Sequence, residues 1–330
     1  MKALVTGAAG FIGAHVTREL QLLGIEVVAI DDLSGGFKDN LPEGITFIQA
    51  DIYDHEKMST LFEEHKFDYV YHLAAYAAEG LSHFIKRFNY NNNLIGSINL
   101  INESVKHKIK CFVFTSSIAV YGGLKPPMKE DMVPQPEDPY GIAKLAVEME
   151  LKVTHEMFGL DYVIFRPHNV YGEYQNLGDK YRNVVGIFMN QLMQGKSLTI
   201  FGDGLQSRAF SYIGDIAPII ANCVNVPEAK NEIFNIGADT EVNVNELAES
   251  VQKVMGIEQP IRHVEARNEV KHAWSDHSKL KRVFGEQKEM SLEEGLKKMV
   301  AWGKQSGIRK GVRFKDIEIL EKLPPVWLED

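Results

Sequence analysis

The sequence has few cysteines, no long apolar run and no excess of basic charge. Only Cys111 and Cys223 occur among its 330 residues, which is too few for a disulfide framework and is typical of a reducing compartment. No apolar run is long enough to cross a membrane, and the first residues lack the apolar core of a signal peptide. The net charge of −9 argues against nucleic acid as the main partner, because phosphate binding needs a basic face. We therefore expect a cytoplasmic protein that binds neither membranes nor nucleic acids.

The first half of the sequence alternates short apolar runs with segments of helical periodicity. The apolar runs are rich in β-branched and aromatic residues, which indicates strands. They cover residues 3–6, 26–30, 46–50, 69–75, 111–117 and 161–167. The helical segments between them cover residues 11–23, 56–65, 94–107 and 141–158. This alternation predicts an α/β fold with a doubly wound parallel sheet of the Rossmann type.

After about residue 170 the alternation breaks, loops lengthen and glycine becomes more frequent. Helices are predicted near 184–194, 215–224, 244–254 and 291–305. Residues 233–237 form one more predicted strand, which we expect to return to the first sheet. We therefore expect a dinucleotide-binding domain over 1–170 and a smaller, mixed α/β substrate-binding domain over 171–330, with a cleft between them. Residues 307–330 would form a C-terminal extension that packs on the second domain or on a partner chain.

The stretch "VTGAAGFIG" follows the first predicted strand and opens the first predicted helix. Its glycines, Gly7, Gly10 and Gly13, would allow a pyrophosphate to approach the backbone at the helix N-terminus. The next strand ends at Asp31, 18 residues after Gly13, and an acid about 20 residues on is expected to bind ribose hydroxyls. Its charge would repel the 2′-phosphate of NADP, so NAD is the expected cofactor. The alternatives are an ordinary glycine-containing turn and a loop or cap role for Asp31, a role that Asp32 would also suit.

The G-x-x-G-x-x-G spacing, "QADIYD" (49–54) and "HLAA" (72–75) together resemble the extended short-chain dehydrogenase/reductase family. That family includes NAD-dependent nucleotide-sugar epimerases and dehydratases. The resemblance implies that one set of residues binds NAD, from the pyrophosphate through the adenosine to the nicotinamide half: Gly7, Gly10, Phe11, Ile12, Gly13, Asp31, Asp32, Asp51, Ile52, Leu73, Ala74, Ala75 and Asn93.

A Tyr-x-x-x-Lys pattern occurs three times, and context distinguishes the copies. Tyr121 runs into "GGLKPP", which cannot be helical, and Tyr53 follows a strand on the adenine side. Tyr140 opens the helix that contains Lys144, and residues four apart lie on one helix face. A nearby ammonium would lower the pKa of the phenol and suit it to acid–base catalysis. The alternative is a surface tyrosine at a helix start.

The resemblance also implies a serine at the end of the strand over 111–117. Alignment on "VYG" gives Ser117 and leaves its neighbour Ser116 open. Family members that eliminate water carry Thr-Asp-Glu before "VYG", whereas this sequence reads Ser117, Ile118 and Ala119. The remaining Ser117, Tyr140 and Lys144 set favours epimerisation at C4 of a nucleotide-diphosphate hexose, with UDP as the favoured nucleotide. Net reduction, dehydrogenation or dehydration is the alternative chemistry, and an NAD-binding regulator without catalysis is the non-enzymatic alternative.

The resemblance implies substrate contacts from the second half of the chain as well: Asn169, Thr199, Phe201, Arg208 and Arg267. An arginine suits a diphosphate because its planar fork binds two oxygens, although both arginines would also suit surface ion pairs. Glu269 is a doubtful match for the family's ribose-binding acid, because a glycine is missing after Asn268.

The loop after "HLAA" departs from the family pattern, which has small residues and a basic residue there. Glu79 and His83 take their place, and they either read an unusual sugar or face solvent. No metal site is expected. The family also often dimerises through the helices that here would be 94–107 and 141–158, so a homodimer is expected.

Overall fold

The computed structural model describes residues 1–267, 269–286, 288–309 and 314–328. Its centre is a seven-stranded sheet in which every neighbouring pair is parallel. The strands of the described chain are β1 Lys2–Thr6, β2 Glu26–Asp31, β3 Thr46–Gln49, β4 Tyr69–His72, β5 Cys111–Thr115, β6 Tyr162–Pro167, β7 Val170–Tyr171, β8 Leu198–Phe201, β9 Ser207–Ala209, β10 Ser211–Tyr212, β11 Glu232–Ile236, β12 Glu241–Asn243, β13 Ile261–Val264 and β14 His272–Ala273. The order across the large sheet is β11-β6-β5-β4-β1-β2-β3.

Helices cover both faces of this sheet and build the smaller part of the molecule. They are α1 Phe11–Leu22, α2 His55–His65, α3 Glu79–Ser82, α4 Lys86–Tyr90, α5 Gly96–Lys106, α6 Pro139–Phe158, α7 Val184–Met193, α8 Ile213–Asn222, α9 Val244–Met255, α10 Ser278–Phe284 and α11 Leu292–Ser306. The sheet strands are buried on both sides, as expected when apolar runs lie between two helix layers. The predicted α/β fold with a Rossmann-type sheet is confirmed.

The order of the sheet creates a crevice for a ligand. The chain runs outward from β1 through β2 to β3, then crosses back so that β4 pairs with the other side of β1. In such a sheet, ligands bind outside the carboxyl ends of the strands at this point of reversal. Two predicted strands end earlier than the apolar pattern indicated, β4 at His72 and β5 at Thr115. Residues 73–75 and 116–117 leave the sheet at this edge.

The second half of the chain contributes one strand to the large sheet and also forms small separate sheets. Strand β11 pairs in parallel with β6 and completes the large sheet. Small sheets of two or three strands pair β8 with β13 and place β9 between β12 and β14. None of the helices in the described parts of the chain is both long and apolar enough to span a membrane.

The described part of the predicted C-terminal extension packs back onto the molecule. Trp327 is 3% exposed, and its ring contacts Phe84 before α4 and Phe201 in β8, at centroid distances of 6.2 and 6.3 Å. Glu318 accepts hydrogen bonds from the backbone amides of Arg87 and Phe88 in α4. The segment 314–328 therefore joins the first half of the chain to the second. Residues 310–313 and 329–330 of the extension lie outside the described residues.

Candidate active site

A cavity of about 430 Å³ opens at the carboxyl ends of the sheet strands. Its walls come from the loops that follow β1, β2, β4, β5 and β6, and from the start of α6. The second half of the chain adds α7, β8 and β9. Of the residues predicted from the sequence, those lining it are Gly7, Gly10, Phe11, Ile12, Gly13, Asp31, Asp32, Asp51, Ile52, Leu73, Ala74, Ala75, Glu79, Ser117, Tyr140, Lys144, Asn169, Thr199, Phe201, Arg208 and Arg267. The topology thus collects nearly all predicted site residues in one space.

The glycine loop after β1 leaves no room for side chains at two of its positions. Gly7 has φ +67°, and a Cβ there would lie 2.7 Å from the Cα of Ala74. A Cβ on Gly13 would lie 2.0 Å from the carbonyl oxygen of Gly7. Gly10 is the N-cap residue of α1. Because glycine has no side chain, no side-chain hydrogen bond caps this end of the helix. This bare backbone fits a pyrophosphate, which helix N-termini favour through their free N–H groups and dipole.

Asp31 lies at the end of β2 beside that loop. Its carboxylate accepts hydrogen bonds from the amides of Ala9 at 3.0 Å and Leu33 at 2.8 Å. Burial raises the pKa of Asp31 above its ordinary value, and these amides offset part of the rise. The neighbouring Asp32 instead accepts from the amide and hydroxyl of Ser34, at 2.9 and 2.7 Å. Asp31 therefore faces the loop that would carry NAD, while Asp32 closes a local turn at the cavity edge.

Asn93 is the one predicted site residue that does not line the cavity. Its side chain is 1% exposed and accepts from the Tyr76 amide at 2.9 Å. It also donates to the Tyr76 carbonyl at 3.2 Å and to Asn89 at 2.8 Å. Asn93 thereby fixes the segment after Ala75, and its neighbour Asn92 reaches the cavity instead.

Tyr140 and Lys144 lie one turn apart at the start of α6, which Asp138 caps by accepting from the Gly141 amide at 2.9 Å. Both side chains are buried, at 5% and 2% exposure. The Lys144 ammonium donates to the Thr115 carbonyl at 2.8 Å and lies 5.8 Å from the centre of the Tyr140 ring. Burial lowers the pKa of Lys144 to about 7.

The surroundings of Tyr140 oppose ionisation of its phenol. Burial raises the pKa of Tyr140 well above its ordinary value, and the charge of Glu79 raises it further. A hydrogen bond from Ser117 acts in the opposite direction. The sequence predicts that Lys144 lowers the pKa of Tyr140. The structure shows a raised pKa instead, because removal of water from the phenol outweighs the polar contacts.

The two serines after β5 have different environments. Ser116 donates to the Glu148 carboxylate at 2.5 Å, and Glu148 pairs with Arg166 at 2.9 Å through the Nε atom. Ser117 caps the short turn that follows, accepting from the Ala119 amide at 3.1 Å, and lies beside Tyr140. Of the two, Ser117 is the hydroxyl placed next to the phenol.

The other two Tyr-x-x-x-Lys tyrosines are placed differently. Tyr121 donates to Asn235 at 2.8 Å and accepts from Arg166 at 2.7 Å, inside the protein. Tyr53 is 48% exposed. Neither lines the cavity, so only Tyr140 of the three meets the site.

The two predicted arginines line the cavity from β9 and from the segment before β14, and one carboxylate joins them. Glu269 pairs with Arg267 at 2.9 Å and with Arg208 at 3.8 Å. Arg208 also donates to the carbonyl of Ser207 at 2.8 Å. The Arg267 guanidinium lies 4.7 Å from the centre of the Phe201 ring. Two guanidinium groups beside an aromatic face suit a diphosphate attached to a flat base.

Two other residues predicted to contact the substrate, Asn169 and Thr199, also line the cavity. Asn169 has φ +43°, a conformation that asparagine tolerates better than most residues, and it lines the cavity just after β6. Thr199 in β8 donates its amide to Gln191 at 3.2 Å, which fixes the strand to α7.

Arg182 lines the cavity from the loop before α7 and was not predicted from the sequence. Its guanidinium pairs with Asp179 at 2.5 Å and lies 4.6 Å from the centre of the Tyr76 ring. The loop "YGEYQNLGDKYRN" carries no periodicity, and nothing in the sequence alone showed that it folds over the site. No group of three or more His, Cys, Asp or Glu side chains within the described ranges is arranged to hold a metal ion.

Comparison with known proteins gives a consistent result. The NAD dependent epimerase/dehydratase family matches residues 3–237. The UDP-glucose 4-epimerase of Mycolicibacterium smegmatis is 31% identical over 91% of this chain and 97% of its own. The solved UDP-glucose 4-epimerase of Thermotoga maritima, with UDP-glucose, is 35% identical, covers 93% of this chain and 99% of its own, and has a TM-score of 0.88. The UDP-glucuronic acid 4-epimerase of Bacillus cereus, solved with UDP-glucuronic acid and NAD, is 31% identical, covers 93% and 100%, and has a TM-score of 0.85.

Proposed function

The chain belongs to the NAD dependent epimerase/dehydratase family, and from this premise we propose that its cavity inverts C4 of a UDP-linked hexose. It is an NAD-dependent nucleotide-sugar epimerase, and thus an isomerase. The observation that carries the proposal is the meeting of Ser117, Tyr140 and Lys144 in one cavity that Arg208 and Arg267 also line. This arrangement would supply a proton acceptor and diphosphate-binding groups within the same site.

The cofactor site is formed by residues that fit NAD. The backbone of Gly7 and Gly13 would take the pyrophosphate, since a Cβ at either position would collide with other backbone. Asp31 would bind the adenosine ribose, and Asp51 and Ile52 would contact adenine. When bound, NAD accepts the hydride of C4 and returns it.

The catalytic residues handle the proton of the same carbinol. In our proposal Ser117 orients the 4-hydroxyl and Tyr140 takes its proton as the C4–H bond breaks. Because burial and Glu79 raise the pKa of Tyr140, this step would require the charge of Lys144, on the same helix face, to favour the phenolate. Tyr140 later returns the proton to the 4-oxygen, so no proton or electron is gained or lost overall.

Inversion requires the 4-keto sugar to turn over without leaving. Arg208, Arg267 and Asn169 would hold the diphosphate, while Thr199 and Phe201 border the base. The sugar can then present its other face to the same catalytic groups. No second acid–base pair is needed, and Ile118 and Ala119 are buried and apolar where dehydration would require one.

We also propose the domain arrangement and assembly of the working enzyme. Residues 1–170 would hold NAD and residues 171–330 the nucleotide sugar, with β11 contributed back to the sheet.

One face of α6 exposes Ile142, Met149, Val153 and Met157, which supports a homodimer formed through α5 and α6. Loss of the dimer in sedimentation of Val153→Glu would support that interface. The free, buried Cys111 and Cys223 support a reducing compartment such as the cytoplasm.

The proposed reaction is tested by incubating the purified protein with UDP-glucose and following the sugar by proton NMR. We expect UDP-galactose to appear without added NAD, because an epimerase reuses the same cofactor molecule. Release of a 4-keto-6-deoxy sugar would identify a dehydratase instead.

A further inference from the structure

Glu79 lies beside the place where the hexose would sit. It opens α3 directly after the cofactor-lining loop, and its side chain is exposed to the cavity. Its charge acts on Tyr140 and on Arg208 and Arg267, and a Cβ on the adjacent Gly80 would lie 3.8 Å from the Nη1 atom of Arg267. A hexose joins its diphosphate at C1 and reacts at C4, on the opposite side of the ring. A carboxylate that is close both to the proposed catalytic tyrosine and to the proposed diphosphate arginines is therefore expected to border the ring itself.

The backbone of Glu79 is firmly held. The Ser82 hydroxyl donates to the Glu79 carbonyl at 2.6 Å and lies 3.4 Å from the Asp138 carboxylate. A Cβ on the adjacent Gly80 would lie 3.2 Å from the Trp327 ring. The C-terminal segment thus packs against the residue next to Glu79 and limits its movement away from the site.

The other charges around the hexose position do not compensate for Glu79. Asp138 is a second carboxylate at the cavity wall. The guanidinium of Arg182 could in principle pair with the carboxylate of a sugar acid, but it is already paired with Asp179 at 2.5 Å. Arg208 and Arg267 share Glu269 and would be occupied by the diphosphate. Lys144 is a further cation beside Tyr140, but it donates to the Thr115 carbonyl at 2.8 Å and burial lowers its pKa to about 7. Above about pH 7 the part of the cavity beside Glu79 is therefore acidic, and a negatively charged sugar would be repelled there.

We propose that Glu79 is a specificity-determining residue that admits neutral hexoses, whose hydroxyls donate to its carboxylate, and excludes uronic acids. This inference rests on the proposed function, since it assigns the sugar class that the same site accepts. It also separates this chain from its relative in Bacillus cereus, which is solved with UDP-glucuronic acid.

The test compares kcat/KM for UDP-glucose and UDP-glucuronate in the full-length protein and in Glu79→Gln. The wild-type protein should prefer UDP-glucose by about a hundredfold or more. Glu79→Gln should reduce that preference by at least about tenfold, the scale of removing one close like-charge contact. Glu79→Asp keeps the charge and should keep the preference. NAD content and melting temperature, measured for each variant, show that the fold is intact.

Glu137→Gln is the matched control. Glu137 also borders the cavity, but a Cβ on Gly123 would lie 2.8 Å from its Oε1 atom, so its carboxylate points to that turn. Its removal takes away the same charge from the same cavity and should leave the preference within about twofold of wild type, because this carboxylate is directed toward Gly123.

The pH dependence gives a readout that a purely structural role would not show. Burial raises the pKa of Glu79, the charges of Asp138 and Glu269 add to the rise, and Arg208 and Arg267 oppose it, so that the resulting pKa is about 7. Glu79 is thus mostly protonated at pH 6 and mostly charged at pH 8, whereas the sugar carboxylate is charged throughout. The preference for UDP-glucose should grow over this range in the wild-type protein and stay level in Glu79→Gln. Asp138, Tyr140 and Lys144, whose pKa is also about 7, are present in both proteins, so any effect of their titration is common to both.

The outcomes separate the two claims. Equal use of both sugars by the wild-type protein, or an unchanged preference in Glu79→Gln, would overturn the role of Glu79 and leave the epimerase standing. Epimerisation of neither sugar would overturn the proposed function, and the assignment of Glu79 with it.

Discussion

The Ser116 hydroxyl donates a hydrogen bond to the buried Glu148 carboxylate at 2.5 Å. This contact turns Ser116 into the protein and leaves its neighbour Ser117 beside Tyr140. Glu148 is held from the other side by Arg166, and both side chains are almost completely buried. The middle of the catalytic helix α6 is thereby tied to β6 beneath the site.

Alanine variants of the two serines should therefore have different effects. Ser117→Ala should lower kcat by about 10²-fold, the scale of a misplaced reacting group, with a small loss of stability. Ser116→Ala should lower the free energy of unfolding by about 1–3 kcal/mol, because it removes a hydrogen bond to a buried charge, and should change kcat much less. Steady-state kinetics and urea unfolding measure both effects. The reverse pattern would assign the catalytic hydroxyl to Ser116.

The position of Asp31 predicts the choice of cofactor. Asp31→Ala should weaken NAD binding by about 1–3 kcal/mol, because hydrogen bonds to a charged group are lost. The same variant should reduce the discrimination against NADP, whose 2′-phosphate would otherwise meet the carboxylate. Calorimetric titration of both cofactors measures this. If the unaltered protein binds NADP as tightly as NAD, the assignment of Asp31 is incorrect.

Arg208 tests the diphosphate site. Arg208→Ala should raise KM for UDP-glucose by about tenfold or more, because a charge-assisted hydrogen bond to the substrate is lost, while NAD occupancy stays close to that of the wild-type protein. Arg208→Lys keeps the charge but not the fork and should recover only part of the loss. Kinetics together with the absorbance of released NAD gives both readouts. Equal losses of substrate and NAD binding would instead assign Arg208 to the fold.

The buried Lys144 predicts a pH-dependent stability. Its pKa is lowered to about 7 in the folded protein and is about 10.4 in an unfolded chain. Between these values the unfolded state binds more protons, so stability rises with pH. The free energy of unfolding of NAD-free wild-type protein should therefore rise relative to Lys144→Met from pH 7 to 10, by at most about 1.4 kcal/mol per pH unit. A constant difference would mean that Lys144 keeps an ordinary pKa in the folded protein.

Much of this architecture is readable in the sequence because it rests on local patterns. Glycine spacing, alternating strands and helices, and the Tyr140–Lys144 interval all reflect backbone geometry. The pattern failed where tertiary contacts decide. Residues 73–75 continue the apolar run of β4 but leave the sheet to line the cavity, and Asn93 is turned away from the cavity by its bonds to Tyr76.

Contacts between distant segments were not predictable from the sequence. Trp327 meets Phe84 and Phe201 only because the chain returns over the site after α11. The pKa of Tyr140 likewise depends on burial and on Glu79, which lies 61 residues earlier. Such effects arise from the summed surroundings of a group and have no periodic signal.

The central claim is that C4 is oxidised and then reduced within one site, with its hydrogen retained. The most direct measurement follows UDP-glucose that carries deuterium at C4, in ordinary water, by deuterium and proton NMR. We predict UDP-galactose with deuterium still at C4 and no accumulation of free NADH. Tyr140→Phe should slow this conversion by about 10²–10⁴-fold, the contribution of a general base, with NAD still bound. Loss of deuterium to solvent, or NADH released in proportion to product, would contradict the account.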